Sequence, residues 1–309
     1  MTRAHEKPAA TPSQHPKAQA RVLVIYKKSA YQLMVRERKN ERARTLLKRH
    51  DRSVERLLAA HRDHVKTIES ARKLLDRLGV EASFRYRATA DQTERFDLVI
   101  SLGGDGTLLR ASHLVGSQPV LAINTAPHDS VGFFCGGTKE NLEEVLVRAL
   151  RGDLPATELT RAQITLDGEL VSRRVLNDVL YCHECPAATT RYILRHNGRE
   201  EEHRSSGMWV GPAAGSTAAQ RSAGGRVLPA TSKQIQYVVR EPYMQNGQRY
   251  SMVKGLLGED EQLEVISKIQ GGRLYVDGPH LKLRVSLGSA LVVKRSPEPL
   301  TVLGFRKRA

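Results

Sequence analysis

The sequence has few cysteines, few aromatic residues and no long apolar run. Three cysteines, Cys135, Cys182 and Cys185, are too few for a disulfide framework. No apolar stretch approaches the roughly 20 residues that a membrane-spanning helix needs. Residues 1–20 contain no apolar segment of the kind found in a secretory signal. We therefore expect a cytoplasmic protein with no membrane partner.

Cys182 and Cys185 have the CxxC spacing that is common in zinc and redox sites. A zinc site would need two further ligands at suitable spacing, and the sequence contains neither a second CxxC nor an HxxxH motif. We therefore expect free thiols at Cys182 and Cys185 and no metal site there.

Acidic residues are clearly outnumbered by basic ones. The 49 Lys and Arg against 33 Asp and Glu give a formal net charge of +16, and such a balance suggests an anionic partner. Much of the surplus lies in residues 27–58, which are typical of arginine-rich helices with a solvated face. Nucleic-acid binding is therefore not expected, whereas a site that collects two phosphorylated ligands would suit the charge.

The chain divides into a tail and two domains. Residues 1–20 lack periodicity and are rich in Ala, Pro, Thr, Gln and Lys, which predicts a disordered tail. Residues 21–156 alternate strand and helix patterns, which predicts a doubly wound α/β domain with a parallel sheet. The predicted strands are Val22–Tyr26, 80–87, 96–102 and 119–125, and the predicted helices end near Leu78 or span Thr107–Val115 and Thr138–Leu150.

Residues 157–309 have a different pattern, with short alternating segments separated by turn dipeptides. Asp167-Gly168, Asn197-Gly198 and Asn246-Gly247 are strong hairpin signals, because a type I′ turn needs positive φ at both central residues. This half is predicted to be a β-rich, β-sandwich-like domain. Whether its last strand returns to the first domain is left open.

The most distinctive motif is the loop Gly103–Thr107, which follows a buried strand and precedes a helix. Glycines let a backbone approach a ligand closely, and the free N–H groups of a helix start attract phosphate. Asp105 in such a loop suits a general base for a hydroxyl nucleophile or an anchor for magnesium. A tight turn capped by aspartate is the alternative. The motif is neither a P-loop nor a GxGxxG fingerprint.

Two further segments carry polar groups that suit a nucleotide. A run of small residues, Ala213–Ala219, includes the hydroxyls of Ser216 and Thr217, which could bind a ligand or simply cap a helix start. Asn177 and Asp178 end an apolar segment and suit ribose hydroxyls, although a loop cap would account for them equally well.

Together these segments resemble the ATP-dependent NAD kinase family over about 21–277. The matching motifs are Gly103–Thr107, Asn177-Asp178, Gly215–Ala218 and Gly224-Gly225. The segments NDVLYCHECPAATTRY and GPAAGSTAAQRSAGG, and the loop NTAPHDSVGFFCG after the Asn124 strand, are similar to those of the plant-type NADH kinase branch.

The resemblance implies an α/β domain, a β domain and a dinucleotide in the cleft between them. Asp105 would act as base on the adenosine 2′-hydroxyl, which attacks the γ-phosphate of ATP while Mg²⁺ neutralises the phosphates. The chain would phosphorylate NAD⁺ or NADH as a homodimer or homotetramer. The residues expected to bind nucleotide are Gly103, Gly104, Gly106, Thr107, Asn177, Asp178, Ser216, Thr217, Ala218, Ser222 and Asp277.

Two departures from the family pattern concern the dinucleotide pocket. Ser205-Ser206-Gly207 stands where common bacterial members have Gly-Asp-Gly, and Ala219 replaces a frequent tyrosine. Both bear on the choice between oxidised and reduced nicotinamide and leave the phosphoryl-transfer centre intact. A lipid kinase with the same glycine loop and a catalytically silent dinucleotide sensor are the alternative functions.

Overall fold

The computed structural model describes residues 20–86, 88–244 and 249–305. The predicted tail, except for residue 20, and the Asn246-Gly247 turn signal lie outside these ranges. No helix in the described ranges is both long and apolar enough to cross a membrane.

The described residues form nineteen strands and six α-helices. The strands are β1 (Val22–Tyr26), β2 (Ala82–Arg85), β3 (Leu98–Gly103), β4 (Val120–Asn124), β5 (Gly137–Thr138), β6 (Ala156–Leu159), β7 (Ala162–Leu166), β8 (Glu169–Val175), β9 (Val179–His183), β10 (Thr190–His196), β11 (Arg199–Ser205), β12 (Met208–Pro212), β13 (Ile235–Val239), β14 (Lys254–Leu257), β15 (Gln262–Ser267), β16 (Gly272–Val276), β17 (Leu281–Val285), β18 (Ala290–Arg295) and β19 (Leu300–Leu303). The α-helices are α1 (Glu41–Lys48), α2 (Leu57–Arg77), α3 (Ala90–Thr93), α4 (Asp105–Ser112), α5 (Leu142–Arg151) and α6 (Ala219–Ser222), with a π-helix at Gln32–Glu37 and 3₁₀ turns at Arg52–Val54 and Ala213–Thr217.

The first sheet has the order β2-β1-β3-β4-β19-β6, with β5 beside β4. Its pairings are parallel except that β6 runs antiparallel to β19. Strands β1, β3 and β4 are apolar and almost fully buried, as expected when helices cover both faces of a parallel sheet. Helices α2 and α5 pack on one face, and α4 packs on the other. This arrangement confirms the doubly wound α/β prediction.

The remaining strands form two antiparallel sheets that face each other. Their orders are β11-β10-β15-β18-β7-β8 and β14-β13-β12-β9-β16-β17. Both sheets contribute apolar side chains to one core, for example Ile164 and Val293 from the first and Val210 and Leu274 from the second. The prediction of a β-rich, sandwich-like half is therefore confirmed.

Two of the predicted turns lie in the described residues and have the expected backbone. Asp167 and Gly168 have φ of 53° and 85°, and Asn197 and Gly198 have φ of 50° and 71°. They join β7 to β8 and β10 to β11, because positive φ at both central positions matches the twist of paired strands.

The end of the described chain returns to the first sheet. Strand β19 lies between β4 and β6, far in sequence from both. The buried Arg161 joins the same region, since it donates to the carbonyls of Ser112 at the end of α4, of Val115 after it, and of Glu298 and Pro299 before β19. The two halves are thus connected by two chain crossings and by these hydrogen bonds.

Candidate active site between the two domains

The glycine loop lies where β3 ends and α4 begins. A side chain at Gly103 would collide with Thr107, so this position requires glycine, and a side chain at Gly104 would crowd the Ser130 hydroxyl. Nothing lies within 4 Å of the position that a side chain at Gly106 would occupy, and this residue faces open space. The N–H groups at the start of α4 therefore border a cavity rather than the core.

Asp105 is the first residue of α4, and its carboxylate is held by two backbone groups. Phe133 N–H donates to Oδ2 at 2.8 Å, and Phe134 N–H donates to Oδ1 at 2.9 Å. Each carboxylate oxygen keeps a second lone pair for another partner. The carboxylate is thus fixed in orientation while remaining able to accept a proton.

Sequence reasoning missed the role of Phe133 and Phe134. They belong to the 124–136 loop, which Asn124 shapes by bonding to Ala126 and Ser130. Gly132 has φ of 60° and packs so closely on Asn124 that a side chain there would collide with it. In the sequence, Asn124 and Gly132 were the available indication of a tightly turned loop. Their spacing does not reveal that the loop contacts Asp105.

A first cavity, which we call the basic cavity, has a volume of about 290 Å³ and borders one side of Asp105. It is lined by Ile25, Tyr26, Lys27, Gly104, Asp105, Gly106, Thr107, Arg110 and Ser130. Lys27 follows strand β1, and its carbonyl contacts Nε2 of the buried His64 at 2.6 Å. Two cations and a helix N-terminus around one space create a positive potential that suits phosphate.

A second cavity, which we call the cleft cavity, has a volume of about 270 Å³ and lies between the two domains. It is lined by Asp105, Gly106, Leu108, Leu109, Phe133, Phe134, Leu176, Asn177, Ala214, Thr217 and Ala218. Its walls are mainly apolar, with polar groups at Asp105, Asn177 and Thr217. Asp105 and Gly106 line both cavities and therefore stand between them.

Asn177 and Asp178 lie at the start of β9, on the opposite wall from α4. Asn177 Nδ2 donates to Asp178 Oδ2 at 2.9 Å. Burial and the neighbouring Asp277 raise the pKa of Asp178 to about 7. The Asp178 carboxyl is therefore partly protonated near neutral pH and can act as a hydrogen-bond donor as well as an acceptor.

The small-residue segment after β12 packs directly on the backbone of Asn177. Side chains at Gly211 and Gly215 would both collide with the Asn177 carbonyl oxygen, which explains the glycines at these positions. Thr217 and Ala218 continue from this contact into the cleft cavity. The segment thus sets the distance between Asn177 and Thr217.

Three of the expected nucleotide-binding residues have other surroundings. Ser216 is fully buried, donates to the Ala213 carbonyl at 2.7 Å and accepts from Leu228 N–H at 2.9 Å. Ser222 is exposed on α6 and lines neither cavity. Asp277 is buried at the turn between β16 and β17.

Asp277 accepts hydrogen bonds from three consecutive backbone groups. They are the N–H groups of Leu176, Asn177 and Asp178, at 2.7–3.0 Å. Asp277 lines neither cavity, so its carboxylate supports the loop that carries Asn177.

Cys182 and Cys185 line neither cavity. Cys182 is partly buried and Cys185 is exposed, both are free thiols, and burial raises the pKa of Cys182. Within the described ranges, no group of three or more His, Cys, Asp and Glu side chains could hold a metal ion.

Comparison with known proteins gives a consistent result. Residues 19–154 match the ATP-NAD kinase N-terminal domain. The chain is 34% identical over 265 residues to a probable NADH kinase of Oryza sativa subsp. japonica, covering 78% of this chain and 82% of that protein. It is 33% identical to an NADH kinase of Arabidopsis thaliana, covering 67% and 72%.

The fold is also similar to solved structures. An NAD kinase from Archaeoglobus fulgidus in complex with ATP has a TM-score of 0.67 at 23% identity, covering 93% of this chain and 94% of that one. Yeast NADH kinase complexed with NADH has a TM-score of 0.66 at 16% identity, covering 94% and 85%. At these identities the likeness supports the fold.

Proposed function

Because this chain belongs to the ATP-NAD kinase family, we propose that it transfers the γ-phosphate of ATP to the adenosine 2′-hydroxyl of NAD⁺ or NADH. The observation that carries the proposal is the position of Asp105 between the two cavities. A kinase must bring a hydroxyl acceptor and a phosphate donor to one base, and Asp105 borders a space for each.

The basic cavity suits the phosphates of ATP. Lys27 and Arg110 supply positive charge, and Gly106 offers a backbone N–H group at the start of α4. The absence of a side chain at Gly106 leaves room for the phosphate oxygens. The implied Mg²⁺ would neutralise charge on the transferring phosphate when it is bound.

The side chains around the basic cavity fit a magnesium ion that arrives with ATP. Among the described residues that line the two cavities, Asp105 is the one carboxylate. Both of its oxygens already accept a backbone N–H. Asp105 could therefore give such an ion at most its remaining lone pairs, and the phosphates would be its main ligands.

The cleft cavity suits the dinucleotide. Its apolar wall, including Leu109 and Phe133, offers a surface for a flat ring, while Asn177 and Thr217 can bond to ribose hydroxyls. The partly protonated Asp178 accepts a 2.9 Å hydrogen bond from Asn177 Nδ2 and so fixes the orientation of the Asn177 side chain. The ribose would thereby lie beside Asp105.

The transfer then needs one proton movement. Asp105 accepts the proton of the 2′-hydroxyl as its oxygen forms a bond to the γ-phosphorus. The bond from that phosphorus to the β–γ bridging oxygen breaks, and ADP leaves with the electron pair. The N–H groups of Phe133 and Phe134 hold the Asp105 carboxylate in one orientation during this step.

The two alternative functions account for fewer of these features. A lipid kinase would leave Asn177 and the close packing of Gly215 on it without a purpose. A silent sensor has no need for an oriented carboxylate between two cavities. We further propose that the protein is cytoplasmic and that it forms a homodimer or homotetramer. Light scattering on the purified chain would test the assembly.

The reaction is tested by incubating the purified chain with ATP and Mg²⁺ and either NAD⁺ or NADH. Chromatography of the products would measure NADP⁺ and NADPH directly. We expect phosphorylated dinucleotide, and the ratio of the two rates gives the preferred redox form. Dinucleotide binding without product would favour the sensor, whereas neither binding nor product would favour the lipid kinase.

A further inference from the structure

Helix α4 has a functional group at each end. Asp105 forms its first turn, and His113 follows its last residue. Asp105 lines both cavities, whereas His113 lines neither and has no part in the reaction described above. The His113 side chain is nevertheless only 8% exposed, so a titratable group has been buried close to the site.

His113 contacts the fully buried carboxylate of Asp277. Its Nε2 lies 2.7 Å from Asp277 Oδ2, in a close contact whose angle falls short of an aligned hydrogen bond. The ring of His280 stacks on His113 with centroids 3.9 Å apart and an angle of 12° between the rings. A carboxylate removed from water needs such partners, because an unpaired buried charge is strongly destabilising.

Asp277 transmits this contact to the dinucleotide wall of the cleft. It accepts the N–H groups of Leu176, Asn177 and Asp178, and its own N–H donates to the Asp178 carbonyl at 2.8 Å. Leu176 and Asn177 line the cleft cavity. The position of the cleft wall therefore depends on the position of one carboxylate.

Helix α4 itself is held by other contacts. Arg161 donates to the carbonyls of Ser112 and Val115 at 2.8 Å and 3.0 Å, and Leu108 and Ala111 are fully buried in the core of the first domain. Removing the His113 ring would leave these contacts in place. The effect of such a change should therefore fall on Asp277 and the cleft wall rather than on Asp105.

We propose that His113 is a positioning residue that fixes Asp277, and through it the loop 176–178, against the same helix that carries Asp105. This inference rests on the proposed function, because it assigns the loop to dinucleotide binding. Helix α4 then sets both the place of the base and the place of the acceptor substrate.

The test compares His113→Leu with His113→Gln, which retains an N–H donor at a similar reach. His196→Leu is the matched control, because His196 is also a poorly exposed histidine beside a carboxylate, at 3.1 Å from Glu261 Oε2. Calorimetry would measure NADH dissociation, steady-state kinetics would give the KM of each substrate, and thermal denaturation would report folding.

We expect His113→Leu to weaken NADH binding about tenfold or more, the scale for losing one charged contact. The KM for ATP should stay within about twofold of wild type, His113→Gln should recover most of the loss, and His196→Leu should bind NADH normally. His113→Asn, which is too short to reach Asp277, replaces the Leu variant if that variant does not fold.

The proposal is overturned by any of three results. They are normal NADH binding in His113→Leu, an equal loss for ATP and NADH, or a Gln variant as weak as the Leu variant. The proposed function fails separately, if the wild-type chain binds NADH but forms no NADPH. In that case the calorimetric comparison still decides whether His113 positions the loop.

Discussion

Replacing Gly215 by Ala tests whether the small-residue segment sets the shape of the cleft. A Cβ at this position would lie 1.7 Å from the Asn177 carbonyl oxygen and 2.6 Å from its carbonyl carbon. An ordinary contact requires about 3.4 Å, so the two backbones must separate by roughly 1.7 Å. Both atoms are backbone, and no side-chain rotation can relieve the collision.

The expected loss follows from that displacement. A shift of about 1 Å in a positioning element can cost on the order of 10²-fold in rate. Asn177 and Thr217 line the cleft on the two sides of this contact, whereas the basic cavity lies beyond Asp105. We therefore expect kcat/KM for the dinucleotide to fall about 10²-fold while the KM for ATP changes little.

Steady-state kinetics with each substrate varied in turn would measure this effect. Gly258→Ala is the matched control, since its Cβ would meet its nearest neighbour at 3.5 Å, an ordinary contact. The control should behave as wild type. A Gly215→Ala variant with normal kcat/KM for the dinucleotide would refute the argument that this close approach shapes the cleft.

Three further changes have distinct expected results. Lys27→Met should raise the KM for ATP about tenfold without changing NADH affinity, because Lys27 lines only the basic cavity; a shift in NADH affinity alone would contradict that assignment. Arg161→Met should lower the free energy of unfolding by about 3 kcal/mol in urea titration, since it leaves buried carbonyls unpaired; a stability equal to wild type would contradict it. The raised pKa of Asp178 means that the folded state holds its proton to about pH 7 while the unfolded chain releases it near 3.8. Stability from this group is thus full below the unfolded pKa and is lost as pH rises through about 7. Relative to wild type, Asp178→Asn should therefore gain on the order of 3 kcal/mol between pH 4 and 8, and a parallel pH dependence of the two proteins would exclude the raised pKa.

The general architecture could be predicted from the sequence because its signals are local. Alternating strand and helix patterns predicted the parallel sheet, and the two turns at Asp167-Gly168 and Asn197-Gly198 have the positive φ that their residues favour. The glycine loop was recognisable for the same reason, since Gly103 to Thr107 are consecutive. Neither inference required knowledge of distant contacts.

The contacts of the site could not be predicted in the same way. Phe133 and Phe134 meet Asp105 across 28 and 29 residues, and they do so through backbone N–H groups that any residue could supply. A sequence pattern therefore cannot identify such a donor. The return of β19 to the first sheet is equally non-local, because a strand of four residues gives no sign of its partners.

The roles of individual polar residues were also beyond the sequence. Ser216 looked like a ligand-binding hydroxyl, yet its hydrogen bonds are internal. Asp277 looked like a direct contact of the dinucleotide, and the structure surrounds it with backbone N–H groups and His113. In both cases the residue type fits either role, and only burial and geometry distinguish them.

The most direct test of the account is the Asp105→Asn variant, studied for binding and turnover in parallel. Asparagine can accept only one of the two N–H groups that hold the carboxylate, so NADH affinity must be measured in the same protein. We expect NADH affinity within about threefold of wild type and phosphorylation slower by about 10²-fold or more, the scale for loss of a general base. Turnover close to wild type would contradict the central role of Asp105.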